Sequence, residues 1–227
     1  MATVERTEPA WPPAVRAALW ITVIGIVLYV ALDLVAQLLP PHYNPISQAE
    51  SDLGVGPYGW VMNLNFVVRG ILSLAFVYGL YRAWPNSDPP RLGLALIAAW
   101  AVGAFVLAAN PADISGPATL HGQIHLITAF VAFLLMSVGA LLVAYAMPAM
   151  APWDRVRAWA QPLSILAFVA MLVLLFTNGI PRIEQHYFGL IERIFLGFAL
   201  AFLFVVAWGL LRWGPPRPVA PRPTGAE

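Results

Sequence analysis

Apolar residues run through this chain in long unbroken blocks separated by short polar turns. Neither the period of two expected of a half-buried strand nor the narrow stripe of a soluble helix is present. The blocks fall at about Ala17–Leu39, Trp60–Tyr81, Leu92–Ala109, His121–Met147, Trp159–Phe176 and Phe188–Leu211. Each is roughly 20 residues long, the length a helix needs to cross a bilayer core of about 30 Å. Continuous apolar runs predict helices, not the ten-residue alternating strands of a barrel. The predicted fold is therefore all-α, a six-helix transmembrane bundle over residues 14–213. Residues 1–13 and the Pro-rich stretch 214–227 are expected to be disordered tails. The first block is too long for a signal-peptide core and contains Asp33, so it reads as a retained span.

Arginine placement sets the expected orientation. Arg6, Arg16, Arg82, Arg91, Arg155, Arg157, Arg212, Arg217 and Arg222 all fall on one side of the spans, and Arg182 alone falls in the opposite turns. Both termini are predicted to be cytoplasmic, in a multi-pass protein of the plasma membrane. The turns carrying Asp52, Asp113 and Glu184 then face outward.

Composition agrees with a membrane protein: 60% of residues are hydrophobic and 10% charged, with a formal net charge of +1. No basic stripe with interleaved aromatics appears, which sets nucleic-acid binding aside. The absence of cysteine excludes disulfides, thiolate zinc sites, iron–sulfur clusters and cysteine nucleophiles. All 12 basic residues are arginine, so lysine chemistry is excluded too.

Polar groups inside the apolar blocks are costly and default to the bundle interior. Here they recur at helical spacing: Tyr29, Asp33 and Gln37; Asn65, Arg69 and Ser73; His121, His125 and Thr128; then Glu192 with Arg193. Asp33, Arg69, His125 and Glu192 lie in the half of the spans expected to face outward. One polar cavity, open to the outside and closed below by an apolar plug, accounts for them. Each group also has a plainer reading. Asp33 and Arg69 would form a structural ion pair between spans one and two. Glu192 and Arg193 would cap a turn or anchor a helix. The histidines would serve as hydrogen-bonding groups.

The segment Asn110–Thr128, NPADISGPATLHGQIHLIT, carries the sharpest chemical hint. His121 and His125 stand one turn apart and can present two nitrogens to one zinc or other divalent metal. Asp113 is the first choice to complete the shell, with Asp52, Glu184, His186 or Glu192 as other donors. No glutamate follows His121, so this is not the HExxH protease arrangement. His42 and His186 both read as loop residues, which argues against a haem held between facing helices. No GxSxG, phosphate-binding loop or dinucleotide fingerprint occurs.

These motifs resemble the domain-of-unknown-function family 998, a bacterial and archaeal group of membrane proteins. The loop NPISQAESDLG followed by Asn65 and Arg69-Gly70, the acidic turn leading into HGQIH, and GLIERIFLGFALAFLFVVAWGLLR are similar to that family's segments in the same order. The resemblance covers roughly residues 15–213. It implies about six spans and marks Ser51, Asp52, Gly54, Asn65, Gly70, Asp113, His121, His125, Glu192 and Arg193 as the matching positions. It implies no settled activity. A looser similarity to seven-span membrane hydrolases and receptors with histidine-held zinc is an analogy of chemistry alone.

The leading functional expectation is a cavity that binds a membrane lipid or small polar ligand. The alternatives are a metal-dependent membrane hydrolase using His121 and His125, a proton-coupled carrier using Asp33, Arg69 and the histidines, and a structural subunit. Oligomeric state stays open.

Overall fold

The computed structural model describes residues 10–85 and 88–215. Of the two expected tails, residues 1–9 and 216–227 lie outside the described residues, as do Arg6, Arg217 and Arg222. Among the described residues six α-helices make up the fold: α1 (Pro13–Leu38), α2 (Gly59–Ala83), α3 (Arg91–Ala109), α4 (Leu120–Ala146), α5 (Trp153–Thr177) and α6 (Pro181–Trp213). All six are long and apolar enough to cross a membrane. The shortest, α3, has 19 residues and the longest, α6, has 33, or roughly 28 and 50 Å at the α-helical rise.

Neighbours in sequence are neighbours in space, and α1 also packs on α6, closing the ring. Helix α6 additionally touches α2 and α4, which makes it the most enclosed element. Arg16, Arg82, Arg91, Arg155 and Arg212 lie at or near helix ends that the antiparallel course gathers at one end of the bundle. The opposite end carries the α1–α2, α3–α4 and α5–α6 connections.

An aromatic layer separates the two ends. Phe133 of α4 lies 4.8 Å from Phe195 of α6, and Trp100 of α3 lies 5.7 and 6.4 Å from those rings. All three are buried, and Phe76 packs on Phe202 further into the same core. Edge-to-face and tilted contacts of this kind add about 0.5–1.5 kcal/mol each beyond area burial. These rings form an aromatic plug in the buried core.

The α1–α2 connection does not stay outside. A 3-10 turn at Glu50–Gly54 dips into the bundle and buries Glu50 and Leu53, each 3% exposed. Leu53 packs with Ala36, Val61, Met62, Phe66 and Leu107 in a small second core.

Three helix starts come earlier than expected, and α1 begins at Pro13, not Ala17. Helix α5 begins at Trp153, not Trp159, with Asp154 in its first turn, where a carboxylate favours the helix dipole. Helix α6 begins at Pro181, not Phe188, with proline in its first turn and Glu184 just after it. Arg182, Glu184 and His186 are therefore helical residues, not members of a polar loop.

Candidate functional site

Arginine 193 fastens the dipping loop to α6. Its Nη1 donates to the carbonyls of Pro45 at 2.9 Å and Gln48 at 3.1 Å, and its Nη2 to the Tyr43 hydroxyl at 2.5 Å. Beside it, Glu192 accepts the Glu50 backbone N–H at 2.7 Å. The Leu190 N–H donates to the Ile46 carbonyl at 2.9 Å. Helix and loop touch so closely because residue 189 is glycine: a Cβ there would meet the carbonyl oxygens of Gln48 and Pro45. Capping and anchoring, the plainer reading of Glu192 and Arg193, is what this geometry performs. Burial raises the Tyr43 phenol above its ordinary value, with Arg193 opposing.

The α3–α4 turn is built around one carboxylate. Asp113 accepts the Thr119 N–H and hydroxyl, each at 2.8 Å, and the Thr119 oxygen in turn accepts the Gly122 N–H at 3.0 Å. Thr119 thus caps α4 in the usual hydroxyl-to-N3 manner. Only glycine at 122 leaves room for the Asp113 carboxylate. These hydrogen bonds hold Asp113 below the ordinary carboxylate value, so it stays ionised at the protein surface.

Both histidines of α4 turn toward Asn110. His121 Nδ1 lies 2.9 Å from Asn110 Oδ1, and His125 Nδ1 lies 2.6 Å from the Asn110 carbonyl. A carbonyl only accepts, so His125 carries its hydrogen on Nδ1 and leaves Nε2 as a bare acceptor. That Nε2 is buried and has no partner among the described residues. Among the described residues no group of three His, Asp or Glu side chains stands together as a metal-ligand set. The expected trio of His121, His125 and Asp113 is not assembled, because Asp113 is turned to Thr119 and both Nδ1 atoms to Asn110. His186 is exposed on α6 with its Nδ1 on the Arg182 carbonyl at 3.0 Å.

A buried polar network lies behind these turns. Tyr29 donates to Glu50 Oε1 at 2.5 Å, and Gln37 donates to Asp33 Oδ2 at 2.6 Å. Burial first, then the carboxylates of Asp33 and Glu192, pushes the Glu50 carboxyl up to about 8. The Tyr29 hydrogen bond and Arg69 oppose the rise. Asp33 and Arg69 do not form the expected ion pair. Arg69, 1% exposed, lies over the rings of Trp100 at 4.4 Å and Phe66 at 5.0 Å. Its Nε and Nη2, together with Asp33 Oδ1 and Asn65 Oδ1, are buried without a partner among the described residues.

Cation–π contacts of about 0.5–2 kcal/mol offset only part of the cost of unpartnered buried donors, about 1–3 kcal/mol per group. Arg69→Met, an apolar side chain of similar length, is accordingly expected to leave stability within about 1.5 kcal/mol of the starting protein. A thermal melt in detergent checks this. A larger loss would show that the charge itself holds the network together.

The open space is a crevice between the three turns at this end. It encloses about 350 Å³ lined by Asp52, Asp113, Gly122, Phe130, Phe133 and Glu192, with Leu174 of α5 and Phe188 of α6 completing the apolar wall. A wider vestibule of about 540 Å³ shares Asp52, Asp113, Phe130 and Phe188 and adds Glu184 and Gln185. Phe133 is the shared element between crevice and aromatic plug. Burial raises the Asp52 carboxyl above its ordinary value, with a backbone hydrogen bond and Arg193 opposing.

Of the residues singled out from the sequence, Asp52, Asp113 and Glu192 line the crevice. Asp33, Asn65, Arg69 and His125 sit in the network behind it, Arg193 in the loop clamp, and His121 and His186 on the exposed rim. The sequence reading passed over Glu50, Tyr43, Gly189 and the phenylalanines. Glu50 lies within the quoted loop NPISQAESDLG, but nothing in its spacing marks a loop acid as buried.

A family model described as "Protein of unknown function (DUF998)" matches residues 23–209, most of the chain. No curated protein matches, and no solved structure matches.

Proposed function

The chain belongs to the DUF998 family of unknown function, and we propose that this member binds a lipid-like amphiphile in the crevice between its turns. The observation that carries the reading is the make-up of that one space. Its lining combines the acidic residues Asp52, Asp113 and Glu192 with the apolar residues Phe130, Phe133, Leu174 and Phe188. Its volume falls within the range of small-molecule sites, about 300–1,000 Å³. A polar head meets the turn residues while an apolar chain follows the wall toward Leu126, which is 57% exposed on the flank of α4. The gathering of arginine at the opposite end supports an orientation with both termini cytoplasmic and the crevice outward, in a bacterial plasma membrane. The site then draws its ligand from the outer leaflet.

A hydrolase built on His121 and His125 has less support, since both Nδ1 atoms are engaged by Asn110. A metal shell would require the α3–α4 turn to rearrange.

Ala129 lines the crevice at its apolar wall. Ala129→Trp is expected to fill it and reduce co-purifying amphiphile by about tenfold, read by native mass spectrometry of gently solubilised protein. A thermal melt serves as the control for folding. Wild-type protein that retains no amphiphile, or a folded variant that retains as much, would overturn the proposal.

A further inference from the structure

We propose that the head group seated in the crevice is a cation, an ammonium or guanidinium. This rests on the amphiphile reading and names the chemistry of its polar end. The ionisable side chains lining crevice and vestibule are Asp52, Asp113, Glu184 and Glu192, all acidic. Arg193 lines neither space, and its Nη1 and Nη2 are held by the carbonyls of Pro45, Gln48 and Gly189 and by the Tyr43 hydroxyl.

Glu192 is the pointed member of the set. It is 5% exposed, and its Oε2 takes the Glu50 N–H. Its other oxygen, Oε1, accepts no hydrogen bond from the described residues, and the side chain lines the crevice. A buried carboxylate with one oxygen free of protein donors, on a residue that lines an open space, calls for a donor to complete it. An ammonium or guanidinium supplies both the hydrogen and the opposite charge. The rings of Phe130, Phe133 and Phe188 surround the same space and favour a cation over an anion through their negative faces. An anionic head would face four carboxylates in a partly desolvated site, which is discrimination by repulsion.

The same cationic chemistry is available from a lipid head group or from a free soluble amine, and the test separates them. Purified protein in a non-ionic detergent is titrated with dodecylammonium, dodecyl phosphate and methylammonium. The expected result is that dodecylammonium binds at least about tenfold more tightly than the other two. Glu192→Gln and Asp52→Asn should each weaken it by about tenfold. Glutamine keeps an acceptor for the Glu50 N–H, and Asp52→Asn carries the test alone if the first variant does not fold. Dodecyl phosphate binding as tightly would overturn the cationic head while leaving the amphiphile reading intact. Methylammonium binding as tightly as its dodecyl counterpart, with the same loss in the variants, would support the cation and overturn the amphiphile. Failure of both dodecyl compounds to bind would overturn both.

Discussion

Gly189→Ala is expected to lower the melting temperature of the purified protein by roughly 6–12 °C, the equivalent of about 3 kcal/mol. The added methyl group would meet the carbonyl oxygen of Gln48 and stand 2.7 Å from that of Pro45. These are backbone atoms, so no rotamer change relieves the contact. The same two carbonyls are held by Arg193 Nη1. Lifting the loop therefore breaks those bonds and the Glu50-to-Glu192 bond with them. A helix glycine with open space gives the contrast. Gly197, two turns further along α6, has nothing within 4 Å of an added Cβ. Gly197→Ala is expected to be neutral or to stabilise by up to about 1 kcal/mol through helix propensity. A melt in which the two variants behave alike would remove the loop clamp as an account of this end of the fold.

The bundle was legible because a bilayer imposes a length and an apolarity on each helix, and both are written locally. The helix ends were less so, because hydropathy reports where the membrane core stops and not where backbone hydrogen bonding stops. Pro181 to Tyr187 is polar, yet it continues α6 for seven residues before the apolar run. That continuation places Glu184 on the vestibule wall and His186 on an exposed helix face.

Among the site residues, the spacing of His121 and His125 correctly put them one turn apart on α4. Their shared partner Asn110 lies 11 and 15 residues earlier, across a turn whose path no local pattern states. Charge complementarity misled for Asp33 and Arg69. Opposite charges on adjacent spans suggested a pair, whereas Arg69 is placed by the Phe66 and Trp100 rings and Asp33 by Gln37. The loop acid Glu50 was missed for a related reason. Composition marks a Pro- and Gly-rich segment as a connection, but the burial of one side chain within it depends on Gly189 and Arg193, about 140 residues away.

That buried acid should contribute a large part of the pH dependence of stability. In the folded protein Glu50 holds its proton up to about pH 8, whereas an unfolded glutamic acid releases it near its ordinary value of 4.5. Between these values the folded state binds more protons than the unfolded state, so stability falls as pH rises. The stabilisation is fully present below about 4.5, is lost through the window, and levels off above about 8. Each pH unit inside the window is worth about 1.4 kcal/mol, so the loss between roughly pH 5.5 and 8 should be about 3 kcal/mol. Glu50→Gln should remove most of that slope. Glutamine is uncharged at every pH, and its Oε1 can still accept the Tyr29 hydroxyl that Glu50 accepts at 2.5 Å. The Asp52 carboxyl, also raised by burial, leaves a smaller slope of the same sign at lower pH. Asp113, whose value is lowered, loses stability only on acidification. Thermal melts should therefore nearly coincide for the two proteins at about pH 4.5, with the variant the more stable at pH 8. Parallel curves would mean that Glu50 is already ionised in the folded protein, and that the carboxylates of Asp33 and Glu192 beside it are balanced by Arg69 and Arg193 instead.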